Sequence, residues 1–195
     1  MDATRRQIRA LRCRNTDGKW FFPEGSLVSG LSSEVIQDLI QNHCDIEPYA
    51  VQEITQTVEA GARKVFAILV LMREGQKIAA FLEHHLQSDG QTLDSRLPFF
   101  ESELKMVLNP DLASEFEELQ WEFIAPIFSH RLLHRNLQMD SRLPFIESRK
   151  IGGGGFAYVY EVVIPAGHHN FKGVDSTQVS SVILNSFANE FLTFE

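Results

Sequence analysis

The chain has 195 residues, 44% of them hydrophobic and 23% charged, with a formal net charge of −8 at pH 7. That is the composition of a soluble globular protein with room for one domain, or one domain and part of another. The longest apolar run, residues 65–72, falls far short of the ~20 residues that cross a bilayer, and an acidic chain lacks the basic surface that broad nucleic-acid binding needs, so neither a membrane nor nucleic acid is expected as a partner.

Residues 1–19 hold Arg5, Arg6, Arg9, Arg12, Arg14 and Lys19 against Asp2 and Asp17, and read as a basic, disordered arm. Cys13 and Cys44 have neither metal spacing nor the look of a disulfide framework. With no apolar leader, an intracellular compartment, cytoplasmic or nuclear, is expected. Trp20, Phe21, Phe22 and Pro23 open a segment that buries aromatic surface. From Ser32 or Ser33, a capping position, Val35, Ile36, Leu39 and Ile40 share one helical stripe. Val51, Ile54 and Val58 suggest a second helix that stops near Gly61. The run from Val65 to Met72 suggests a third, buried on all sides. Ile78, Phe81, Leu82, His85 and Leu86 are spaced as one face of a fourth, opened by Gly75 and closed by Ser88, Asp89 and Gly90.

The fifth helix is the most clearly signalled. Asn109 can cap it and Pro110 takes the first helical position, where its missing N–H costs nothing. Leu112, Phe116, Leu119 and Phe123 follow on one face, with Glu115, Glu117, Glu118 and Glu122 mostly away from it as a solvated face, and Pro126 ends or kinks the helix. The period then changes from 3.6 to 2. Residues 148–151 and 156–164 read as two strands around a glycine run, and Pro165, Ala166 and Gly167 break the second. Residues 173–195 are a tail of uncertain structure, strand or helix. One segment is duplicated: DSRLPFFES at 94–102 and DSRLPFIES at 140–148. Two copies with unlike flanks do not make a solenoid; they read as a short duplicated docking segment.

The chemistry concentrates in IGGGGFAYVYEV, residues 151–162. Phe156, Tyr158, Tyr160 and Val162 alternate with Ala157, Val159, Glu161 and Val163, as in a strand. Glycines without Cβ atoms let the backbone approach an anion closely. Gly152, Gly154, Ala157 and Val159 fit the G-x-G-x-x-(G/A)-x-V form of the protein-kinase phosphate flap, with Phe156 at the tip. No Gly-Lys-Ser/Thr follows, so it is not a Walker loop, and a strand rather than a helix follows, so it is not a Rossmann turn. The expected ATP-binding residues are Ile151, Gly152, Gly153, Gly154, Gly155, Phe156, Ala157 and Val159. Backbone N–H groups of Gly153 to Phe156 would face the phosphates, and Ile151 and Val159 the adenine.

The other kinase parts do not follow: there is no A-x-K strand lysine, no H-R-D and no D-F-G. Lys172 lies at a tolerable distance but in the context NFKGV. His134 to Leu137 imitate H-R-D-L with Asn for the acid, in the wrong chain order. His130 and His134 are four apart but lack a third metal ligand, and the neighbours His84 and His85, or His168 and His169, are ill-placed to chelate.

The segments FEELQWEFIAPIF (116–128), LPFIE (143–147) and IGGGGFAYVYEVVIPAGHHNF (151–171), together with RKVFAILVLM (63–72), resemble filamentous-fungal protein kinase-like proteins. In that family a helical N-terminal region leads through Leu-Pro-Phe into the kinase glycine loop. The resemblance spans roughly residues 20–172 and implies Ser/Thr phosphorylation with ATP, and Mg in an intact kinase. Only the loop residues named above carry over, Ala157 replacing the usual third glycine. After Gly173 the family pattern is lost, as though the tail were foreign to it. The resemblance therefore implies an α+β chain: the arm at 1–19, a mostly helical region at 20–135, a hairpin like the start of a kinase small lobe at 145–172, and the tail at 173–195. Such a chain would have ATP and an unidentified protein as partners, carry no catalytic residues or metal ligands, and be inactive in phosphotransfer. The alternative is a helical protein-interaction or regulatory module whose hairpin binds nothing. In either case the hairpin is expected to lack its sheet partners and to expose an edge.

Overall fold

A computed structural model describes residues 1–85, 90–129, 140–153, 157–171, 180–187 and 191–194. The fold is α+β and mostly helical, in two compact units: Met1–Leu11 with Ser26–Phe123, and Arg12–Gly25 with Ile124–Glu195.

Among the described residues of the first unit every regular element is helical. The helices are α1 (Asp2–Ala10), α2 (Leu27–Gly30), α3 (Ser33–His43), α4 (Val51–Gly61), α5 (Arg63–Met72), α6 (Ile78–His85), α7 (Glu101–Leu104) and α8 (Pro110–Gln120), with 3₁₀ turns at Gly75–Lys77 and Asp94–Arg96. Helix α5 is the centre. All eight residues from Val65 to Met72 are buried, as the unbroken apolar run requires, and α1, α2, α4, α6 and α8 pack around it. Its N-terminus is capped from a distance: the main-chain N–H groups of Lys64 and Val65 donate to the Asp94 carboxylate at 3.0 and 3.1 Å. Its C-terminus closes in a Schellman turn, with Arg73 left-handed at φ 67° and Arg73 and Glu74 N–H donating to Val70 and Leu69 carbonyls.

Residues 2–10 are not a disordered arm. They form α1, because Ile8 is fully buried and the Arg5 guanidinium donates twice to the Leu71 carbonyl, at 3.0 and 2.7 Å. A cation at the carbonyl end of α5 answers both the orphan acceptor and the helix dipole, so the charge that suggests solvation in fact anchors the segment. The second, third and fourth predicted helices are present, the end of the fourth (86–89) lying outside the described residues. Asn109 caps α8 by accepting from Leu112 N–H at 2.9 Å, with Pro110 next. The buried face of α8 is Ala113, Phe116 and Gln120, with Leu112 and Leu119 half-buried beside it. The helix ends at Gln120, six residues before Pro126, and Glu122, in the turn beyond, is buried rather than solvated. Phe81 and Phe116 stack at 5.4 Å, and Phe99 meets both edge-on.

Phe99 is the anchor of the first DSRLPF copy. Its main chain is clamped by the buried Gln120 amide: Phe99 N–H donates to Oε1 at 2.8 Å and Nε2 donates to Phe99 O at 2.9 Å.

The second unit holds the strands: β1 (Cys13–Arg14), β2 (Trp20–Phe21), β3 (Phe128–Ser129), β4 (Glu147–Gly153), β5 (Ala157–Ile164), β6 (His169–Asn170), β7 (Ser180–Phe187) and β8 (Phe191–Phe194). Strands β1 and β2 form an antiparallel hairpin, β3 and β6 a parallel pair, and β4-β5-β7-β8 an antiparallel meander in that order. Its core is Phe128, Phe145, Val162, Ile164 and Phe171, with Leu143 and Tyr160 against it. Phe145 anchors the second DSRLPF copy as Phe99 anchors the first. Again a carboxamide holds the backbone: Asn15 Nδ2 donates to Leu143 O at 3.0 Å, while Asn15 Oδ1 accepts from Asp17 and Lys19 N–H. Each unit thus seats one copy.

The tail does not leave the hairpin bare. Residues 180–187 pair with 164–157 along the whole of β5. Strand β5 is therefore interior, and β4 is an edge, carrying Glu147, Arg149 and Lys150.

Candidate functional site

Gly152 and Gly153 end strand β4 of the β4–β5 hairpin. Gly152 is opposite Val159 and Gly153 opposite Tyr158, with a register shift between Lys150 and Gly152 that leaves Ile151 as a bulge. Of the expected nucleotide residues, Ile151, Gly152, Gly153, Ala157 and Val159 come together on these two strands. Gly154, Gly155 and Phe156 lie outside the described residues, as does Lys172. Ile151 is 46% exposed and Val159 half-buried.

The two faces of the hairpin differ. Val162 and Ile164 point into the core with Tyr160 against it, so that face is covered along its inner end, while Tyr158 on the same face is exposed. The other carries Gly152, Val159, Glu161, Arg149 and Val163, with an Arg149–Glu161 ion pair at 2.6 Å spanning the strands. Towards the turn, Lys150 places its ammonium 3.5 Å over the Tyr158 ring. Sequence reasoning sought a lysine downstream of the run and passed over this one. The signal was the Arg149-Lys150 pair, one residue before the glycines.

Gly152 has no structural need to be glycine. Its φ is not in the left-handed region, and a Cβ there would meet Val159 at an ordinary 3.8 Å. A side chain at this position would therefore be accommodated without displacing its neighbours. Among the described residues no group of three His, Cys, Asp or Glu is placed to hold a metal ion.

The histidines serve elsewhere. His168 is buried in the second unit; Glu24 N–H donates to its Nε2 at 2.9 Å, so Nδ1 carries the proton and donates to Pro126 O at 3.1 Å. Phe21 meets its ring edge-on at 5.6 Å. His169 is buried and stacks on Phe171 at 5.5 Å. Both rings are built into the unit. His130 and His134 lie outside the described residues. In the first unit a recess of about 300 Å³ between α3 and α4 is lined by Gln37, Gln41, Ile46, Pro48, Val51 and Gln52, amide and apolar groups without a charge. No described helix is long and apolar enough to cross a membrane.

Compared with protein-family models, with curated proteins and with solved structures, the chain matches none.

Proposed function

We propose that this chain is the N-terminal portion of a protein kinase-like protein, whose glycine run is an ATP-covering flap and whose sequence lacks the nucleotide lysine, catalytic aspartate and metal-binding motifs of an active kinase. The observation that carries the reading is Gly152, a glycine that neither backbone conformation nor packing demands, paired with Val159 near the end of strand β4 in an antiparallel hairpin. Glycine at an unconstrained strand position weakens the strand; close approach of a phosphate gives it a use. Phosphoryl transfer depends on positioning and charge stabilisation, so this chain is expected to bind nucleotide without transferring phosphate. The test is a titration with trinitrophenyl-ATP. Wild type should bind, and Gly152→Ala should bind about tenfold more weakly, a loss of roughly 1.4 kcal/mol, with a melting temperature no lower than that of wild type. Absence of binding by wild type, or equal binding by the variant, overturns the flap.

A second reading, a helical protein-interaction module, is favoured by the first unit. That unit is compact in its own right and holds eighteen Asp and Glu against nine Lys and Arg, whereas the second holds eight against nine. All of the net negative charge is therefore in the first unit.

A further inference from the structure

Residues 31–62, which contain α3, α4 and the loop between them, hold six carboxylates and neither lysine nor arginine. Turns hold the loop in place: Cys44 N–H donates to Ile40 O at 3.2 Å and Ala50 N–H to Glu47 O at 2.9 Å. The recess of about 300 Å³ between the two helices opens on this loop. Val51 is buried in its lining and Ile46 half-buried, while Gln37, Gln41 and Gln52 are exposed and, among the described residues, form no side-chain hydrogen bond. Asp38, Asp45, Glu47 and Glu53 are each next in sequence to a lining residue. All four are exposed and, among the described residues, meet no cation, Asp38 accepting from the neutral Asn42 amide at 2.8 Å. An apolar lining thus lies among open amides and unneutralised negative charge.

We propose that this recess docks an extended segment of a partner protein, with one aliphatic side chain inserted and lysines or arginines on either side of it. The proposal rests on the helical unit being a protein-interaction module, and gives that module a partner chemistry. The volume is at the bottom of the range for small-molecule pockets, so it suits one side chain rather than a cofactor. The carboxylates are not part of the lining, so a ligand's apolar part enters while its charges stay outside and meet them there. An exposed glutamine offers both a donor and an acceptor, the pair a main-chain peptide group requires. Gln120 already holds the Phe99 main chain in that way within the same unit. The surplus of acid draws in a basic segment and turns away nucleic acid. Because helices and a turn-bonded loop form the recess before the ligand arrives, the ordering cost of binding is lowered.

The experiment titrates the full chain into fluorescein-labelled peptide libraries and follows anisotropy. The first library has a central leucine flanked by lysines, with the remaining positions degenerate. In the second, serine replaces the leucine; in the third, glutamates replace the lysines. The first should bind, and each of the others about tenfold more weakly or worse, one for loss of the apolar anchor and one for loss of charge complementarity. Two variants at exposed positions test the place. Gln41→Trp fills the recess, and the double variant Glu47→Lys/Glu53→Lys reverses the charge beside it. Each should keep the wild-type melting temperature and weaken binding of the first library by about tenfold or more. Equal binding of the serine library overturns the proposal, since charge alone would then suffice. Binding that survives both variants overturns the recess but leaves the helical module with a site elsewhere, whereas no binding by any library overturns both.

Discussion

Replacing Gln120 by leucine tests how the first duplicated segment is held. Gln120 is 1% exposed and its amide makes the two bonds to Phe99 N–H and C=O. Leucine nearly conserves the volume, so the Phe81–Phe99–Phe116 packing survives while two buried main-chain groups lose their partners. Each such group costs about 1–3 kcal/mol when left unpaired. Part of that is offset because leucine itself has no amide to desolvate, and a net loss of about 3 kcal/mol is expected. With a urea m-value of about 2 kcal/mol/M, the midpoint should fall by about 1.5 M. Trp121 lies just beyond α8 in the same unit, so its emission, in a Trp20→Phe background, follows this unit alone. Gln120→Glu separates hydrogen bonding from packing. As a carboxylate it sets an oxygen against Phe99 O, but once protonated it can donate there, so its deficit should narrow as pH falls towards 4. A midpoint shift below about 0.3 M for Gln120→Leu would refute the clamp.

Asp94 makes a pH-dependent prediction. Burial raises its carboxyl above the ordinary 3.8, and the hydrogen bonds from Lys64 and Val65 N–H pull it partway back. The folded chain therefore holds this proton more tightly than the unfolded one. The stability linked to it is fullest below pH 3.8 and is lost as pH rises through the folded value. In paired thermal melts, the advantage of wild type over the non-titrating Asp94→Asn should grow from pH 7 to pH 3; a flat or shrinking difference counts against burial of the carboxylate. Arg73 stands left-handed at φ 67° where glycine is preferred. Arg73→Gly should stabilise the first unit by up to about 1 kcal/mol in urea, its exposed contact with Asp2 contributing little, and a loss of stability would show that the contact or the arginine stem matters more than the strain. Gly167 has φ +81°, and a Cβ there would lie 3.0 Å from Glu24 O. Gly167→Ala should cost the second unit about 1–3 kcal/mol, read by Trp20 emission in the Trp121→Phe background, whereas Gly152→Ala should be neutral or slightly stabilising; similar effects at the two sites would contradict the backbone argument.

Much of the helical region is legible in the sequence because its signals are local. Asn109-Pro110 starts α8, the apolar run makes α5, and alternation marks β5, each through capping, periodicity or steric preference over a few residues. Distance in sequence hides the rest. Nothing near Arg5 announces that it will satisfy a carbonyl at Leu71, so a docked helix looks like a charged arm. Nothing near residue 64 announces Asp94 as its cap. The tail gains strand character by pairing with β5, an interaction that lies outside any local window. The candidate site divides in the same way. The glycine run, its flanking Ile151 and Val159, and their place on a hairpin follow from sequence alone. The bulge at Ile151 and the position of Lys150 over Tyr158 depend on strand register, which no local window of sequence shows. The sequence by itself determined α3 to α6, α8 and β5, because backbone propensity and hydrophobic period act locally there. Only the tertiary structure decided which charges are solvated and which are used, because a charge finds its partner through space.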